Sequence, residues 1–149
     1  MDVKEAEGIL FRAWDRVCAR EQKLGFGNLR RAEQVFVSIW MLEAEVNNGG
    51  FSQYMFNSAG DQCEFVLEAL REVGAGPVAE TCEQFYVMLP GGRPARTQDE
   101  RQAQLDSAAD IIGEVEFEER CGVLEQRFYA LEDDLRSLMV AYVRANGLV

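Results

Sequence analysis

Apolar side chains return every three or four residues along almost the whole chain, a period that builds one-sided helices and leaves no room for alternating strands. Ile9, Leu10, Ala13, Trp14, Val17 and Cys18 line one face of a first helix of about five turns, which the glycine-containing stretch Leu24 to Asn28 ends. A second helix is predicted from Arg31 to Val46, with Val35, Phe36, Ile39, Trp40 and Leu42 turned inward and Glu33, Glu43 and Glu45 left for solvent. Asn47, Asn48, Gly49 and Gly50 stop it, because Asn and Gly tolerate the left-handed backbone of helix ends. A short element, Phe51 to Phe56, leads through Asn57, Ser58, Ala59 and Gly60 to Asp61, a natural N-cap. The next helix, to Val73, buries Phe65, Val66, Ala69, Leu70 and Val73.

Pro77 suits the opening of a further helix, since its missing N–H would have had no partner there. That helix runs from Val78 to Leu89 and buries Cys82, Phe85, Tyr86 and Leu89. Pro90 to Pro94 is the one linker-like loop. Thr97 and Glu100 then have the spacing of a capping box, and Leu105, Ala108, Ile111, Ile112 and Val115 point to the core. Phe117 falls on the polar side of that pattern, so a bend is expected between Gly113 and Phe117, followed by an apolar segment from Val123 to Leu131. A last helix from Asp133 uses Leu135, Leu138, Met139 and Tyr142, and Asn146 and Gly147 cap it. The expected fold is all-α: a compact single-domain bundle, residues 1–149, of about six to eight helices.

Hydrophobic residues make up 48% of the chain, enough for a real core, and the aromatics lie inside the acidic stretches as well as outside them. Interleaved acids and bases in the first sixteen residues argue against a leader peptide. No run approaches the ~20 apolar residues of a membrane span, so the expected location is the cytoplasm. Cys18, Cys63, Cys82 and Cys121 are far apart with no CxxC pair, which favours reduced, buried thiols. The absence of histidine removes the commonest general base and metal ligand. No phosphate-binding glycine loop, Ca²⁺ loop or di-iron carboxylate pattern occurs, and no cofactor, metal or catalytic residue is assigned.

Charge is segregated along this scaffold. Residues 32–92 carry nine acids against one base, Arg71, and residues 102–134 carry ten acids against Arg120 and Arg127, so each block counts −8 within a net charge of −11. Glu64, Glu68 and Glu72, and again Asp106, Asp110 and Glu114, recur at intervals of four, placing carboxylates roughly 6 Å apart along a helix face. An ordinary solvated face is the simplest reading of either row. Yet exposed helices usually mix signs to gain i,i+4 pairs, and bases are scarce here. Such rows are plausible stand-ins for backbone phosphates and would repel nucleic acid itself. Arg12, Arg16, Arg20 and Lys23 form a basic row on the first helix, available to acids elsewhere on the chain or on a second copy, so a homodimer is one assembly left open.

The most distinctive string is Glu45-Val46-Asn47-Asn48-Gly49-Gly50-Phe51, continued by Gln53, Tyr54, Asn57, Ser58 and Gly60. It resembles the core of the bacterial DNA-mimic family with the DMP nineteen-like domain, formerly a domain of unknown function. Weaker likeness runs through Ala69 to Ala75, Leu124 to Tyr129 and Leu138 to Asn146. The resemblance implies an all-helical protein whose surface carboxylates replace DNA phosphates and occupy the DNA-binding face of a transcription factor. Within the motif, the amides and glycines read as helix caps bonded to neighbouring backbone rather than as reacting groups.

The leading expectation is therefore a non-enzymatic DNA mimic that blocks a basic DNA-binding protein, a transcription factor or nucleoid-type protein, through Glu64, Glu68, Glu72, Asp106, Asp110 and Glu114. It would act in transcription regulation and bind neither nucleic acid nor membrane. The alternative is an enzyme or small-ligand module with a pocket around Glu45, Asn47, Asn48 and Gln53. A third reading is an oligomeric interaction protein that uses its apolar surface.

Overall fold

The computed structural model describes residues 1–149 and contains helices only. Six α-helices follow in order: α1 (Val3–Leu24), α2 (Arg31–Phe56), α3 (Phe65–Glu72), α4 (Gly76–Tyr86), α5 (Gln98–Ile112) and α6 (Glu114–Ala145), with 3₁₀ turns at Phe26–Asn28 and Ser58–Gln62. α2 lies at the centre, packed by α1, α3, α5 and α6, while α4 bridges α3 and α6. No helix is long and apolar enough to cross a membrane.

The helix ends follow local chemistry. Asp2 accepts the Glu5 N–H at 2.8 Å to start α1, and Gly25 (φ 81°) ends it. Thr97 accepts the Glu100 N–H at 3.3 Å to start α5, but the Glu100 carboxylate returns to the Thr97 hydroxyl (3.0 Å) and not to its backbone, so half of the predicted capping box forms. Asn146 and Gly147 (φ 67°) close α6 as expected.

The core is built from the predicted faces. Ile9, Leu10, Ala13 and Val17 of α1 share one core with Val35, Phe36, Ile39 and Leu42 of α2, and Trp14 stacks on Trp40 with ring centres 5.0 Å apart. At the middle, Phe51 stacks on Phe85 (5.2 Å, 18°) and meets Phe128 edge-on (5.9 Å, 86°), which ties α2, α4 and α6 together. All four thiols are free; Cys63, Cys82 and Cys121 are buried and Cys18 is half-buried.

Several expectations are corrected. α2 does not stop at Asn47: its helix runs through Asn48, breaks at Gly49 and Gly50, and resumes to Phe56. Glu33, expected in solvent, is buried and accepts from Arg20 (2.6 Å) and from the Arg30 N–H (3.0 Å), because the turn before α2 brings Arg20 of α1 beside it. Burial pushes its carboxyl up, but the Arg20 and Arg30 bonds outweigh this and hold it below the usual range. Val78 to Leu89 is helical only to Tyr86. The break after α5 comes at Gly113 (φ 102°), beyond which one helix of 32 residues replaces the two expected segments. That turn puts Phe117, Cys121, Leu124 and Phe128 inside. Val115 lies about 200° around the helix from Phe117 and is exposed, not core. Ile111 is exposed too, because the buried arc of α5 runs through Arg101 and Ala108 beside the half-buried Leu105 and Ile112.

Candidate partner-binding surface and the motif beneath it

The motif residues form a side-chain lattice around the α2 break. Gly50 has φ 79° with extended ψ, a conformation reserved for glycine, and a Cβ there would strike the Glu125 carboxylate of α6. The break frees the Phe51 N–H, which donates to Glu125 Oε2 at 3.1 Å. Burial raises the Glu125 carboxyl above its ordinary range even so, with the Phe51 N–H pulling against it. Across the same break, Gln53 Nε2 and Asn57 Nδ2 both donate to Glu45 Oε2 at 2.9 Å. The Tyr129 hydroxyl reaches the Val46 carbonyl (3.2 Å) and Asn47 Nδ2 reaches Glu132 (3.3 Å), so that with the Phe51–Glu125 bond α6 is held to α2 on both sides of Gly50.

The capping reading of these amides is thus corrected: Gln53 and Asn57 donate to Glu45 and Asn47 to Glu132, because the helix continues past Asn47 and packing brings these carboxylates within reach. Asn48 and Ser58 are exposed, and Tyr54 is buried with its hydroxyl unpartnered. Five cavities on the surface have no lining from Glu45, Asn48 or Gln53, and of the four residues of the expected pocket Asn47 alone reaches one of them.

The second half of the motif holds a residue that sequence reasoning missed. Arg101 of α5 is fully buried and donates to the carbonyls of Met55 (3.0 Å), Asn57 (3.2 Å), Ala95 (3.4 Å) and Arg96 (3.0 Å) and to Asp61 Oδ1 (2.7 Å). Asp61 is therefore no N-cap but the counter-ion of this guanidinium; α3 begins after Glu64 without a side-chain cap. Gly60 leaves room for it, since a Cβ there would sit 2.9 Å from Arg101 Nε. One signal was available: Arg101 shares the helical face of Leu105, Ala108 and Ile112 at intervals of four, three and four.

The expected acidic rows are displayed unequally. Glu64 and Glu68 are exposed, but Arg31 of α2 lies 3.7 Å from Glu68 and 3.0 Å from Glu72 while its guanidinium covers the half-buried Phe65 ring. Glu72 also accepts the Tyr142 hydroxyl at 2.5 Å. That bond, with Arg31 and against some burial, holds the Glu72 carboxyl below its usual range; burial and the Glu72 contact push the Tyr142 hydroxyl up. The row thought to lack bases is partly neutralised at one end.

Asp106 and Asp110 are exposed on α5, and Glu114 is exposed beyond the Gly113 break. The three are therefore not one helical stripe. Glu114 instead opens a run on α6 with exposed Glu116, Glu118 and Glu119, where only Glu116 has a base beside it, Arg120 at 2.7 Å. The first turn of a helix is where carboxylates are best tolerated, facing the positive end of the macrodipole. Glu33, Glu43, Glu45, Glu125 and Glu132 are turned into the fold, whereas the α5–α6 turn displays Asp106, Asp110, Glu114, Glu118 and Glu119 with no base paired to them. No three carboxylate or thiol side chains come together as a metal-binding group.

No curated protein and no solved structure matches this chain. A family model described as DMP19-like protein matches residues 27–146, from the 3₁₀ turn before α2 to the end of α6, and so takes in both halves of the motif, the Arg101 clamp and the acidic turn. The chain belongs to the DMP19-like protein family.

Proposed function

We propose that this protein is a cytoplasmic, non-catalytic DNA mimic that occupies the DNA-binding face of a basic partner, a transcription factor or nucleoid-type protein, and so blocks its access to DNA. The observation that carries the reading is the α5–α6 turn, where Asp106, Asp110, Glu114, Glu118 and Glu119 are exposed without ion-pair partners on helices fixed from behind by Ala108, Phe117 and Cys121. Carboxylates carried on helices that already stand in place need no backbone ordering when a row of Lys and Arg arrives, and their shared sign speeds encounter with a cationic face. Family membership supports the same role.

The test immobilises the protein, collects DNA-binding proteins from a cell extract, and repeats the binding with each purified. The expected partner is released steeply between about 0.05 and 0.5 M salt, as screening of exposed charges requires. Duplex DNA displaces it, and the combined substitution Asp106→Lys, Asp110→Lys, Glu114→Lys abolishes binding. A partner that binds DNA and this protein at the same time, or with no salt dependence, would overturn the proposal.

A further inference from the structure

A cavity of about 170 Å³ opens between α1, α2 and α6, away from the α5–α6 turn. Its lining is partly aromatic and partly acidic, with Phe11 (55% exposed), Trp40, Glu7, Glu43, Asn47 and Arg136. Trp40 is fixed by Trp14 stacked behind it and by the Phe11 ring meeting it edge-on at 5.2 Å. The Glu43 side chain is only 12% exposed, and its Oε2 accepts no hydrogen bond. Arg136 does not supply one. Its Nε stands 3.8 Å from Glu43, while its Nη2 is committed to Glu132 at 2.8 Å and its Nη1 lies 3.6 Å from Asp133.

One guanidinium is thus shared by three carboxylates, and Glu7 adds a fourth to the lining. A buried carboxylate short of donors, beside aromatic side chains in a space with excess negative charge, is suited to a cation that brings its own N–H groups. An anion finds no equivalent welcome, because Arg136 is already surrounded by carboxylates. The volume is close to that of a cavity holding one benzene-sized molecule, roughly 150 Å³.

We propose that this cavity binds one small organic cation, an alkylguanidinium or alkylammonium group, between the Trp40 and Phe11 rings and the Glu43 carboxylate. The inference is independent of DNA mimicry, since it uses none of the carboxylates of the α5–α6 turn. Burial pushes Glu43 up to about 7, with Arg136 opposing and Glu132 and Glu7 adding to the rise. The groups facing it are Glu7 from α1 and Glu132, Asp133 and Arg136 from α6, with Asn47 on its own helix. A bound cation favours ionised Glu43, so binding releases a proton near neutral pH and tightens as pH rises through about 7.

The test is a titration by NMR and calorimetry with methylguanidinium, with neutral methylurea as control, and with an acetyl-Gly-Arg-Gly-amide peptide. Methylguanidinium should shift the indole N–H resonance of Trp40 and bind at least roughly tenfold more tightly than methylurea, and Glu43→Gln should remove that preference. Phe11→Ala, a change at an exposed ring, should weaken binding in a protein that melts normally, which keeps the test open if the Gln variant folds poorly. Binding of the peptide at similar strength would identify the ligand as an arginine side chain of a protein. Binding of methylguanidinium alone would identify a free small cation. Equal binding of methylurea, no binding of either cation, or undiminished binding by folded Glu43→Gln and Phe11→Ala would overturn the proposal.

Discussion

Replacing Arg101 by alanine should cost this fold about 4 kcal/mol, as much as truncating a large core side chain. The guanidinium donates to four backbone carbonyls and to Asp61, joining the end of α2, the 3₁₀ turn at Ser58–Gln62, the loop before α5 and α5 itself. Charged hydrogen bonds are each worth ~1.5–3 kcal/mol when broken singly, but five on one group are not additive, and rupture of a buried pair measures ~3–5 kcal/mol as a whole. The figure of about 4 lies inside that range and adds little for the cavity, which water can enter from the half-exposed Asp61 side.

Urea unfolding followed by Trp14 and Trp40 fluorescence would measure it. With a slope of about 2 kcal/mol per molar, the midpoint should fall by about 2 M at unchanged slope. Arg101→Lys should recover little, because one ammonium with three donors cannot reach carbonyls on both sides of a planar fork. Asp61→Asn should cost only about 1 kcal/mol, since Asp61 is 52% exposed and an amide oxygen still accepts. A loss below about 1 kcal/mol for Arg101→Ala would show that the carbonyls do not depend on the guanidinium, and would refute the clamp.

Two further outcomes follow from single positions. Gly50→Ala must place a Cβ against Glu125 at φ 79° and should lower stability by ~2–3 kcal/mol, several degrees in Tm; Gly91→Ala, also at positive φ (84°) but with open space around it, should cost ~1 kcal/mol. Equal losses in thermal melts would mean that the Glu125 approach contributes nothing. For Glu43 the sign is that of a carboxyl raised from 4.5 to about 7: between those values the folded chain holds a proton that the unfolded chain has lost, so its contribution falls as pH rises through this window. Glu43→Gln should remove that slope, matching wild type below pH 4.5 and exceeding it above pH 7 by at most ~3 kcal/mol, about 1–2 after allowance for partial solvent access. Parallel stability curves for the two proteins across this window would contradict the assignment.

Helix class, helix number and most of the core were legible because period is local: a face of Ile9, Leu10, Ala13 and Val17, or of Val66, Ala69 and Leu70, needs only its own sequence to declare itself. The family was legible for the same reason, as one contiguous string. What that string does was not. Glu45 serves Gln53 and Asn57 eight and twelve residues on, Phe51 meets Glu125 across 74 positions, and Asp61 meets Arg101 across 40. No spacing rule spans such distances.

The same division governs the charge. The sequence alone determined the total of −11, its two acidic blocks and the helices that carry them. Only the tertiary structure decided which carboxylates face outward, because a side chain's exposure depends on the element packed above it. Arg20 and Arg30 draw Glu33 inside, Arg31 neutralises one end of the α3 row, and Gly113 turns Glu114 off the stripe of Asp106 and Asp110 onto a new helix. Composition counts charges, while packing against distant neighbours sets which of them a partner can meet.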